Sequence, residues 1–470
     1  MNKELGIREE NKIDNLMEKV ISLCKRRGFI FPGSEIYGGL ANSWDFGPLG
    51  NELFNNIASL WWKRFVQERA DMTGVRGAII MNPKVWEASG HLQSFTDPLV
   101  ECKICHERFR QDKTEELETH AESHKDAEIQ WTEAKNFNLL FKTFIGAVED
   151  AKSTAYLRGE LAQTMFTDFK LIQESNRLRL PFGIAQIGKA FRNEITTGNF
   201  IFRTKEFTIA ELEYFVKPGE EDKHFKLWDE FMEQFLLNDL GLEKTKIRRY
   251  KHPKESLAHY SKGTIDLEYE FPFGWGEITG LASRTDFDLK NHQNLSGQNM
   301  QFKDPESGEE YLPYVVEPTM GLERLMLAVL CNAYSETEAR SGEEDAKHET
   351  ETVLRLPKAL APVKVAILPL SKKEELSVPA KALANELRKH FVCQYDETAS
   401  IGKRYRRQDE IGTIVSVTVD FQTVKDGTVT IRDRDTMRQI RVKTSELRQT
   451  IQKILDDSDK FSNLGEMVAK

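Results

Sequence analysis

Residues 184–216 read IAQIGKAFRNEITTGNFIFRTKEFTIAELEYFV, and this stretch decides the fold class. Apolar and aromatic residues alternate with polar ones over residues 184–194 and again over 205–216, which is the period-two pattern of β-strands. The turn-forming sequence Thr196-Thr-Gly-Asn199 lies between the two segments. The stretch therefore predicts an antiparallel hairpin.

One face of this hairpin carries charged and aromatic side chains. Residues two apart share a face of a strand, so Arg192 and Glu194 are expected to point the same way, as are Phe207 and Glu211. Residues 315–324, VVEPTMGLER, add Glu317 and Thr319 on one strand face and Arg324 at the start of an apolar helix. For any single pair, a solvated face with ion pairs is the simpler interpretation. Together the three segments predict a binding site, because buried charges are costly unless something pairs them.

Composition indicates an ordinary globular protein of more than one domain. The chain has 470 residues, 39% of them hydrophobic and 30% charged, with a formal net charge of −9. No apolar run is long enough to span a membrane, and the first residues, MNKELGIREENKID, lack a signal-peptide core. The five cysteines predict a reducing compartment without a disulfide framework, so we expect a cytoplasmic protein.

The remaining pattern divides the chain. Residues 12–27 and a segment ending near Phe65 have helical periodicity, and a strand is predicted over 75–82, before Pro83. A further strand is predicted over 276–289. A composition shift near 358–362 marks a domain boundary, beyond which strands and helices alternate as in an α/β domain.

Five segments resemble glycyl-tRNA synthetases of the homodimeric type, a family of class II aminoacyl-tRNA synthetases. The segments are LRGELAQ (157–163), LPFGIAQIG (180–188), EFTIAE (206–211), DFDL (286–289) and EPT (317–319). The arginine-bearing segments resemble motifs 2 and 3 of class II synthetases, and the helix ending near Phe65 with the strand after it resembles motif 1. The resemblance runs from about Gly28 to about Leu447.

The resemblance implies an α+β fold, with a class II antiparallel sheet flanked by helices and a C-terminal α/β anticodon-binding domain. It implies a catalytic domain over residues 1–357, with insertions at about 95–150 and 217–262, and an anticodon-binding domain over 358–470. The implied activity is glycine–tRNA ligation through glycyl-adenylate. The implied partners are tRNA(Gly), glycine, ATP with Mg²⁺ and a second copy of the chain, with no membrane.

Adenylate formation needs arginines, which bind phosphate and carboxylate bidentately, and magnesium. Arg192 and Arg324 are the predicted catalytic residues, Phe207 could cover the purine, Glu194 could accept from the adenine amino group, and Glu277 matches the magnesium-binding carboxylate of the family. The predicted ATP site comprises Arg192, Asn193, Glu194, Phe202, Arg203, Thr204, Lys205, Glu206, Phe207, Glu277, Ile278, Gly321, Leu322, Glu323 and Arg324.

Glycine offers no side chain to bind, so its site must hold the ammonium group and exclude larger amino acids. Glu160, Glu211 and Glu317 match the acidic positions that bind the ammonium in the family. Thr319 stands where the family commonly has serine, and its extra methyl tightens the pocket. The predicted glycine site comprises Arg110 (with Arg108 as a rival), Glu160, Phe207, Thr208, Ile209, Ala210, Glu211, Glu317, Pro318, Thr319, Met320 and Gly321.

Cys102 and Cys105 precede His120 and His124 with the spacing C-x2-C-x14-H-x3-H, which is close to structural zinc sites. The family often has two Cys-x-x-Cys pairs here, and the histidines replace the second pair in this hypothesis. The alternative is two buried thiols with two solvated histidines. Both histidines share a face if 115–125 is helical.

The C-terminal stretches 402–412 and 429–435 resemble the anticodon-binding domain, and their arginines are expected to position phosphates or to form a solvated charged rim. Residues 401–450 hold eleven Lys/Arg and seven Asp/Glu, so this region is locally basic. Two other functions stay open: a synthetase-like tRNA-binding regulatory protein without catalysis, and a zinc-finger nucleic-acid binder. Specificity for alanine or serine is the related alternative.

Overall fold

The computed structural model of the chain describes residues 16–124, 129–195, 198–253, 257, 261–338 and 350–468. Two predictions fall partly outside these ranges. Residues 12–15 of the first predicted helix lie outside the described residues, and so do Thr196 and Thr197 of the hairpin connection.

The helices of the described residues are numbered along the chain. They are α1 (16–27), α2 (Pro48–Trp62), α3 (Pro83–Ala88), α4 (His91–Ser94), α5 (Thr114–Ser123), α6 (Ala162–Thr167), α7 (Phe169–Asn176), α8 (Glu221–Gln234), α9 (Phe287–Ser296), α10 (Leu322–Ala333), α11 (Glu374–Leu387), α12 (Ile401–Glu410), α13 (Phe421–Asp426) and α14 (Leu447–Leu455). No helix in the described ranges is long and apolar enough to cross a membrane.

The strands of the described residues are numbered in the same way. They are β1 (Ile30–Pro32), β2 (Trp44–Phe46), β3 (Met72–Gly74), β4 (Thr96–Glu101), β5 (Arg108–Arg110), β6 (Lys135–Asn138), β7 (Lys142–Phe144), β8 (Thr154–Tyr156), β9 (Phe182–Phe191), β10 (Glu206–Val216), β11 (Ile247–Lys251), β12 (Gly263–Phe271), β13 (Gly274–Thr285), β14 (Phe302–Lys303), β15 (Glu310–Tyr311), β16 (Tyr314–Gly321), β17 (Tyr334–Glu338), β18 (Thr350–Leu354), β19 (Val365–Pro369), β20 (Cys393–Tyr395), β21 (Val415–Val419), β22 (Thr428–Asp433), β23 (Gln439–Lys443) and β24 (Glu466–Met467).

A seven-stranded sheet with the order β11-β12-β13-β16-β10-β9-β3 forms the centre of the larger part of the chain. Its neighbours are antiparallel except for β3, which runs parallel to β9. The predicted hairpin is present: Phe191 pairs with Glu206, and Phe182 pairs with Phe215. However, β9 ends at Phe191, so Arg192 and Glu194 lie beyond the strand and the expected alternation does not reach them.

Alternate residues of β10 enter two separate apolar cores, one on each face of the sheet. Leu212, Tyr214 and Val216 pack in the core that includes α2, α8 and α10. Phe215 packs in the other core, which α6, α7 and α9 complete. The odd-numbered residues of β10, including Glu211, therefore share the face that α6 and α9 cover.

Two strand predictions were wrong in their limits. The strand predicted over 75–82 is β3 at Met72–Gly74, and over 75–82 the structure has only an isolated bridge between Ile80 and Leu157. The strand predicted over 276–289 ends at Thr285, and α9 begins at Phe287. Within the first predicted insertion, β4, β5 and β6 form a separate three-stranded sheet. The second predicted insertion supplies α8 and the edge strand β11.

The C-terminal part has its own six-stranded sheet with the order β20-β19-β21-β22-β23-β24. Strand β19 is parallel to β20 and β21, and the remaining pairs are antiparallel. With α11 to α14 beside it, this is the predicted α/β architecture. Arg27 of α1 forms an ion pair with Glu410 of α12, and the Asn56 amide donates to the Leu360 carbonyl at 3.1 Å, which ties the two parts together.

Candidate active site

A pocket lies against the central strands β10, β13 and β16 of the large sheet, beside the residues that follow β9. Most of the residues predicted for the nucleotide line it: Arg192, Glu194, Phe202, Arg203, Thr204, Phe207, Glu277, Gly321, Glu323 and Arg324. Thr319 of the predicted glycine site lines it as well. The structure thus brings the three arginines of the sequence analysis to one cavity, although they come from separate segments.

Arg324, in the first turn of α10, is fixed from three sides. Its Nε donates to the Phe202 carbonyl at 3.1 Å, and its Nη1 donates to the Glu277 carbonyl and to Glu277 Oε2, both at 3.0 Å. The guanidinium lies over the Phe202 ring, 4.5 Å from its centroid. Desolvation acts against ionisation of Glu277, yet Arg324 holds the pKa of this carboxyl below its usual value.

Arg192 lies directly after β9 and is held between two aromatic rings. Its guanidinium is 5.2 Å from the Phe95 ring centroid and 5.5 Å from that of Phe207. Its Nε donates to the Gly159 carbonyl at 3.0 Å. This arrangement orients Arg192 without an acidic partner among its described contacts, and the planar guanidinium remains suited to bind an anion.

Several residues of the predicted nucleotide set have structural roles. Both oxygens of buried Glu323 accept from the Thr208 backbone N–H, at 2.9 and 2.8 Å. The side chains of Ile278 and Leu322 are buried in the large apolar core, so only their backbone atoms can face a ligand. Lys205 donates to Asn193 at 3.2 Å, and Glu206 pairs with Lys189 at 3.2 Å on the outer part of the hairpin.

Next to this pocket, three buried carboxyl groups meet on the sheet face that α6 and α9 cover. Glu211 and Glu213 of β10 and Glu317 of β16 each offer an oxygen within 4.8 Å of the others. Glu211 accepts from the Leu161 backbone N–H at 2.8 Å. Glu160 is buried beside them, where it pairs with His91 at 3.3 Å.

Arg284 of β13 connects these acids. Its Nη1 donates to Glu317 at 3.0 Å, its Nη2 lies 3.6 Å from Glu160, and its Nε donates to Asp288 of α9 at 2.8 Å. Gln163 links the same groups, since its amide donates to Glu160 at 2.8 Å and to Asp288 at 2.9 Å. Among the described residues around this site, carboxyl groups therefore outnumber the permanent cations.

This imbalance shifts the titration of the cluster. Burial, and then the nearby Glu317, raises the pKa of Glu211 well above its usual value. Burial and Glu317 also raise the pKa of Glu213. Burial acts against ionisation of Glu160, yet His91 and Arg284 hold the pKa of Glu160 far below the usual value. The cluster is therefore an environment that favours an added positive charge.

Thr319 joins the arginine pocket to the acidic cluster. It pairs with Glu211 of β10 on one side and with Gly280 of β13 on the other. Paired residues point to the same face of a sheet, so Thr319, Glu211 and the bare Gly280 share one face. An ideal Cβ at Gly280 would lie 3.6 Å from Glu277 Oε1, which places the Glu277 carboxylate next to this face as well.

The other residues predicted for the glycine site lie in different places. The side chains of Ala210 and Met320 are buried in the larger core and can contribute only backbone atoms, whereas Ile209, although buried, lines the arginine pocket. Pro318 is also buried. Arg110 forms ion pairs with Asp97 at 3.0 Å and with Asp112 at 2.7 Å. Burial raises the pKa of Asp97, and the charges of Glu194 and Arg203 in the arginine pocket also influence it. Arg110 therefore lies on the nucleotide side of the site. Its rival Arg108 pairs with Glu101 at 3.1 Å.

The four predicted zinc ligands come together in the first insertion. Their ligand atoms all lie within 4.8 Å of one another. The Cys105 thiol is 3.4 Å from His120 Nε2, which is 3.2 Å from His124 Nε2. His120 lies in α5 and His124 caps its C-terminus, as the predicted helix requires. Two thiols and two imidazoles form a donor set that fits Zn²⁺.

The arginines predicted to meet phosphates in the C-terminal part are mostly buried. Arg432 forms a bidentate pair with Asp409 at 2.9 and 3.0 Å, and Arg434 donates to the Gly412 and Leu356 carbonyls at 3.0 Å. Arg404 is 2% exposed. The expectations of phosphate contacts and of a solvated rim were both wrong for these three, because carboxylates and carbonyls of neighbouring elements enclose them.

Comparisons with known proteins agree with this geometry. Two family descriptions match: "tRNA synthetase class II core domain (G, H, P, S and T)" over residues 147–333, and "Anticodon binding domain" over residues 364–454. A "Glycine--tRNA ligase" of Clostridium perfringens is 51% identical over 469 residues, covering 94% of this chain and 99% of the relative. One of Geobacillus thermodenitrificans is 50% identical, covering 95% and 99%.

The chain belongs to the glycine–tRNA ligase family. A solved prolyl-tRNA synthetase of Cryptosporidium parvum has a TM-score of 0.62 at 14% identity, covering 93% of this chain and 75% of that one, and therefore shows the fold alone. The predicted family and the predicted class II fold with an anticodon-binding domain are confirmed.

In this member of the glycine–tRNA ligase family, the residues that organise the acidic cluster were not predicted from the sequence. They are His91, Gln163, Glu213, Arg284, Asp288 and His292, all buried. Two local signals were available: Glu213 follows Glu211 by two positions on a strand, and Asp288 follows Arg284 by four. The contact of His91 with Glu160 had no local signal, because the two residues belong to separate segments.

Proposed function

We propose that this chain activates glycine with ATP to glycyl-adenylate and then transfers glycine to the 3′ end of tRNA(Gly). The observation that carries the proposal is a buried excess of carboxylates beside a pocket lined by three arginines. An amino acid presents an ammonium and a carboxylate, and ATP presents phosphates. The two charged regions match these groups in the order that adenylate formation needs.

In the activation step the glycine carboxylate attacks the α-phosphorus of ATP and pyrophosphate leaves. Arg192 is the group that binds both the carboxylate and the α-phosphate, since Phe95 and Phe207 orient its guanidinium and leave its donors available. A preorganised cation that meets developing charge lowers the barrier without reorganising at the moment of reaction.

Arg324 and Arg203 hold the remaining phosphates and the purine, with Phe207 on the other face of the base. Arg324 is already positioned by Glu277 and by the Phe202 carbonyl, so little side-chain entropy is lost on binding. Glu277 is the carboxylate that would hold Mg²⁺. When bound, the ion neutralises phosphate charge.

Glycine is bound by its ammonium group through Glu160, Glu211 and Glu317. Arg284 orients Glu317 and Glu160 from behind and compensates part of their charge. Thr319 limits the space beside Glu211, so a substrate side chain meets its methyl group. One additional methyl in a full site costs about 1–3 kcal/mol, which supports selection of glycine over alanine.

The anticodon end of tRNA is assigned to the C-terminal part. Arg404, Arg432 and Arg434 are buried, so we assign the phosphate contacts to exposed cations of the same region. These are Lys403, Lys425, Arg438, Lys443 and Arg448. Contacts of this kind fix orientation and are weakened by salt.

Zn²⁺ is proposed for the Cys102, Cys105, His120 and His124 cluster. Four protein ligands leave no open position, so the ion has a structural role. The bound ion would hold β4, β5 and α5 together, since the described residues of the first insertion include few buried apolar side chains.

The working unit is proposed to be a homodimer in the cytoplasm. Ile36, Tyr37 and Leu40 are 87%, 87% and 71% exposed, and large apolar side chains at such exposure mark a surface that a partner covers. None of the five cysteines, all of which lie in the described ranges, is paired in a disulfide, which agrees with a reducing compartment.

The decisive experiment is ATP–pyrophosphate exchange with each of the twenty amino acids offered separately. Exchange driven by glycine alone is expected. Exchange driven by alanine or serine would correct the specificity, and no exchange by the folded protein with magnesium would favour a tRNA-binding regulatory protein instead.

A further inference from the structure

Glu213 is the one member of the Glu211–Glu213–Glu317 cluster to which the proposed reaction assigns no role. It is 0% exposed, and neither of its carboxyl oxygens has a hydrogen-bond partner among the described residues. A buried carboxyl group without a partner is costly, and native structures keep such a group only when something else compensates it.

The neighbours of Glu213 supply only part of that compensation, because burial and Glu317 outweigh the charge of Arg284. The charged and titratable groups that face the cluster are Glu211 of β10, Glu317 of β16, Arg284 of β13, Asp288 and His292 of α9, Glu160 before α6, His91 of α4 and the buried Arg158, whose charge acts on Glu211 while its guanidinium donates to the Lys189 carbonyl and to Gln186. Of these, Arg284 is already shared among Glu317, Asp288 and Glu160. His91 is engaged with Glu160 and the Ser89 hydroxyl.

Three carboxyl oxygens within 4.8 Å of one another repel strongly when all are ionised in a buried site. Groups this close titrate as a unit, and the first proton belongs to the cluster rather than to one residue. In the empty site a proton shared among them reduces this repulsion.

We propose that Glu213 is a positioning residue of the ammonium subsite: it keeps a proton on the Glu211–Glu213–Glu317 cluster while the site is empty, and the arriving ammonium displaces that proton to solvent. This inference rests on the proposed glycine subsite. Charge and protons balance, because one protonated amino group enters the cluster and one proton leaves it for the buffer. No covalent bond changes.

The exchange has a functional consequence. The empty pocket avoids three adjacent negative charges, and it becomes fully anionic only around a bound ammonium. Binding and proton release are then thermodynamically linked, so the apparent affinity for glycine rises with pH by up to about tenfold per pH unit while the proton is displaced. This proton release does not enter the KM for ATP, since ATP binds the arginine side of the site; the pH dependence of that KM reflects instead the terminal phosphate, whose second pKa is about 6.

The test uses the full-length protein and the variant Glu213→Gln, whose amide keeps the size of the side chain and removes its titratable proton. The number of protons released on glycine binding is obtained by titration calorimetry in buffers of different ionisation enthalpy. Exchange kinetics from about pH 6 to pH 8.5 give the KM for glycine and for ATP over the range in which a shifted carboxyl titrates. Glu270→Gln, an exposed glutamate on β12, is the control.

The wild type and Glu270→Gln are expected to release close to one proton, and Glu213→Gln much less, with a flatter dependence of the glycine KM on pH. Binding of glycine by the wild type without proton release overturns the inference, and so does an unchanged proton count in Glu213→Gln. If Glu213→Gln does not fold, the wild-type proton count decides alone. Absence of glycine binding by the wild type refutes instead the proposed function, so the two failures are distinct.

Discussion

Arg284 donates from Nη1 to Oε1 of Glu317 at 3.0 Å, and the two residues are 1% and 6% exposed. The same guanidinium binds both oxygens of Asp288 through Nε and Nη2. A buried arginine shared by several acids fixes the acidic cluster that is proposed to bind glycine, and removing it leaves their charges uncompensated.

Replacing this arginine is therefore expected to destabilise the fold. Arg284→Met should lower the free energy of unfolding by about 3–5 kcal/mol, the usual cost of breaking a buried ion pair from one side. Arg179→Met is the control. Arg179 Nη1 lies 3.8 Å from Glu306 Oε1, and the two side chains are 71% and 86% exposed, so the free energy of unfolding is expected to change by about 0–1 kcal/mol. Urea unfolding of both variants measures the difference. A loss of less than about 1 kcal/mol in Arg284→Met would contradict the role of Arg284 in the cluster.

Arg192 should affect chemistry more than stability. Arg192→Gln is expected to lower glycine-dependent exchange by about 10²–10³-fold, the effect of removing one preorganised charge donor. Among the described residues its side chain donates one hydrogen bond, to the Gly159 carbonyl, so we expect a change of about 1 kcal/mol or less in the free energy of unfolding. Arg179→Gln is the matched surface control. Full activity in Arg192→Gln would remove this residue from the proposed mechanism.

Thr319 should decide between glycine and alanine. Thr319→Ala removes the hydroxyl and the methyl beside Glu211, and we expect kcat/KM for alanine relative to glycine to rise by about tenfold or more. Thr319→Ser should give a smaller rise and keep glycine activity. Thr279→Ala is the control: Thr279 is buried on β13 and pairs with Met320, away from the Thr319 face. Equal selectivity in all three variants would argue against size exclusion at this position.

Asp266 predicts a measurable pH dependence of stability. Burial, and then Glu277, raises the pKa of this carboxyl from 3.8 to about 6, although His252 Nε2 lies 2.6 Å from its Oδ2. The folded protein binds the proton more tightly than the unfolded chain, so this contribution to stability is full below pH 3.8 and is lost as the pH rises through 6.

The variant Asp266→Asn keeps an acceptor for His252 and removes the titration. Its free energy of unfolding relative to wild type should increase by about 2 kcal/mol between pH 4 and pH 7, as a shift of this size implies. Asp222→Asn, with an 88% exposed side chain, should show a difference that is independent of pH. The same flat profile in Asp266→Asn would refute the prediction.

The metal site predicts a stoichiometry. Purified protein should hold about one zinc per chain, and Cys105→Ala should lose it, because four ligands are needed for a closed structural site. Cys393→Ala, which changes a buried thiol of the C-terminal sheet, should retain the metal. Metal analysis after dialysis measures both variants. A chelator should expose residues 96–124 to protease, and protection without metal would favour the alternative of two thiols and two solvated histidines.

The sequence by itself determined the features that depend on near neighbours. The β9–β10 hairpin follows from period-two alternation, and the helix that presents His120 and His124 follows from a four-residue spacing. The family follows from long segments, such as residues 180–188, that resemble those of glycyl-tRNA synthetases. The limits of β3 and β13 did not follow, because pairing with distant strands decides where a strand ends.

The tertiary structure decided which charges are buried and which partners they have. Arg404, Arg432 and Arg434 lie in charged stretches that are typical of a protein surface. In the structure they are buried, because strands and helices distant in sequence enclose them. Glu160, Glu211, Glu213 and Glu317 become one cluster only because β10 and β16 pair and α6 and α9 cover their shared face. Electrostatic energies depend on distances between groups and on exclusion of water, and a linear sequence specifies neither for residues far apart along the chain.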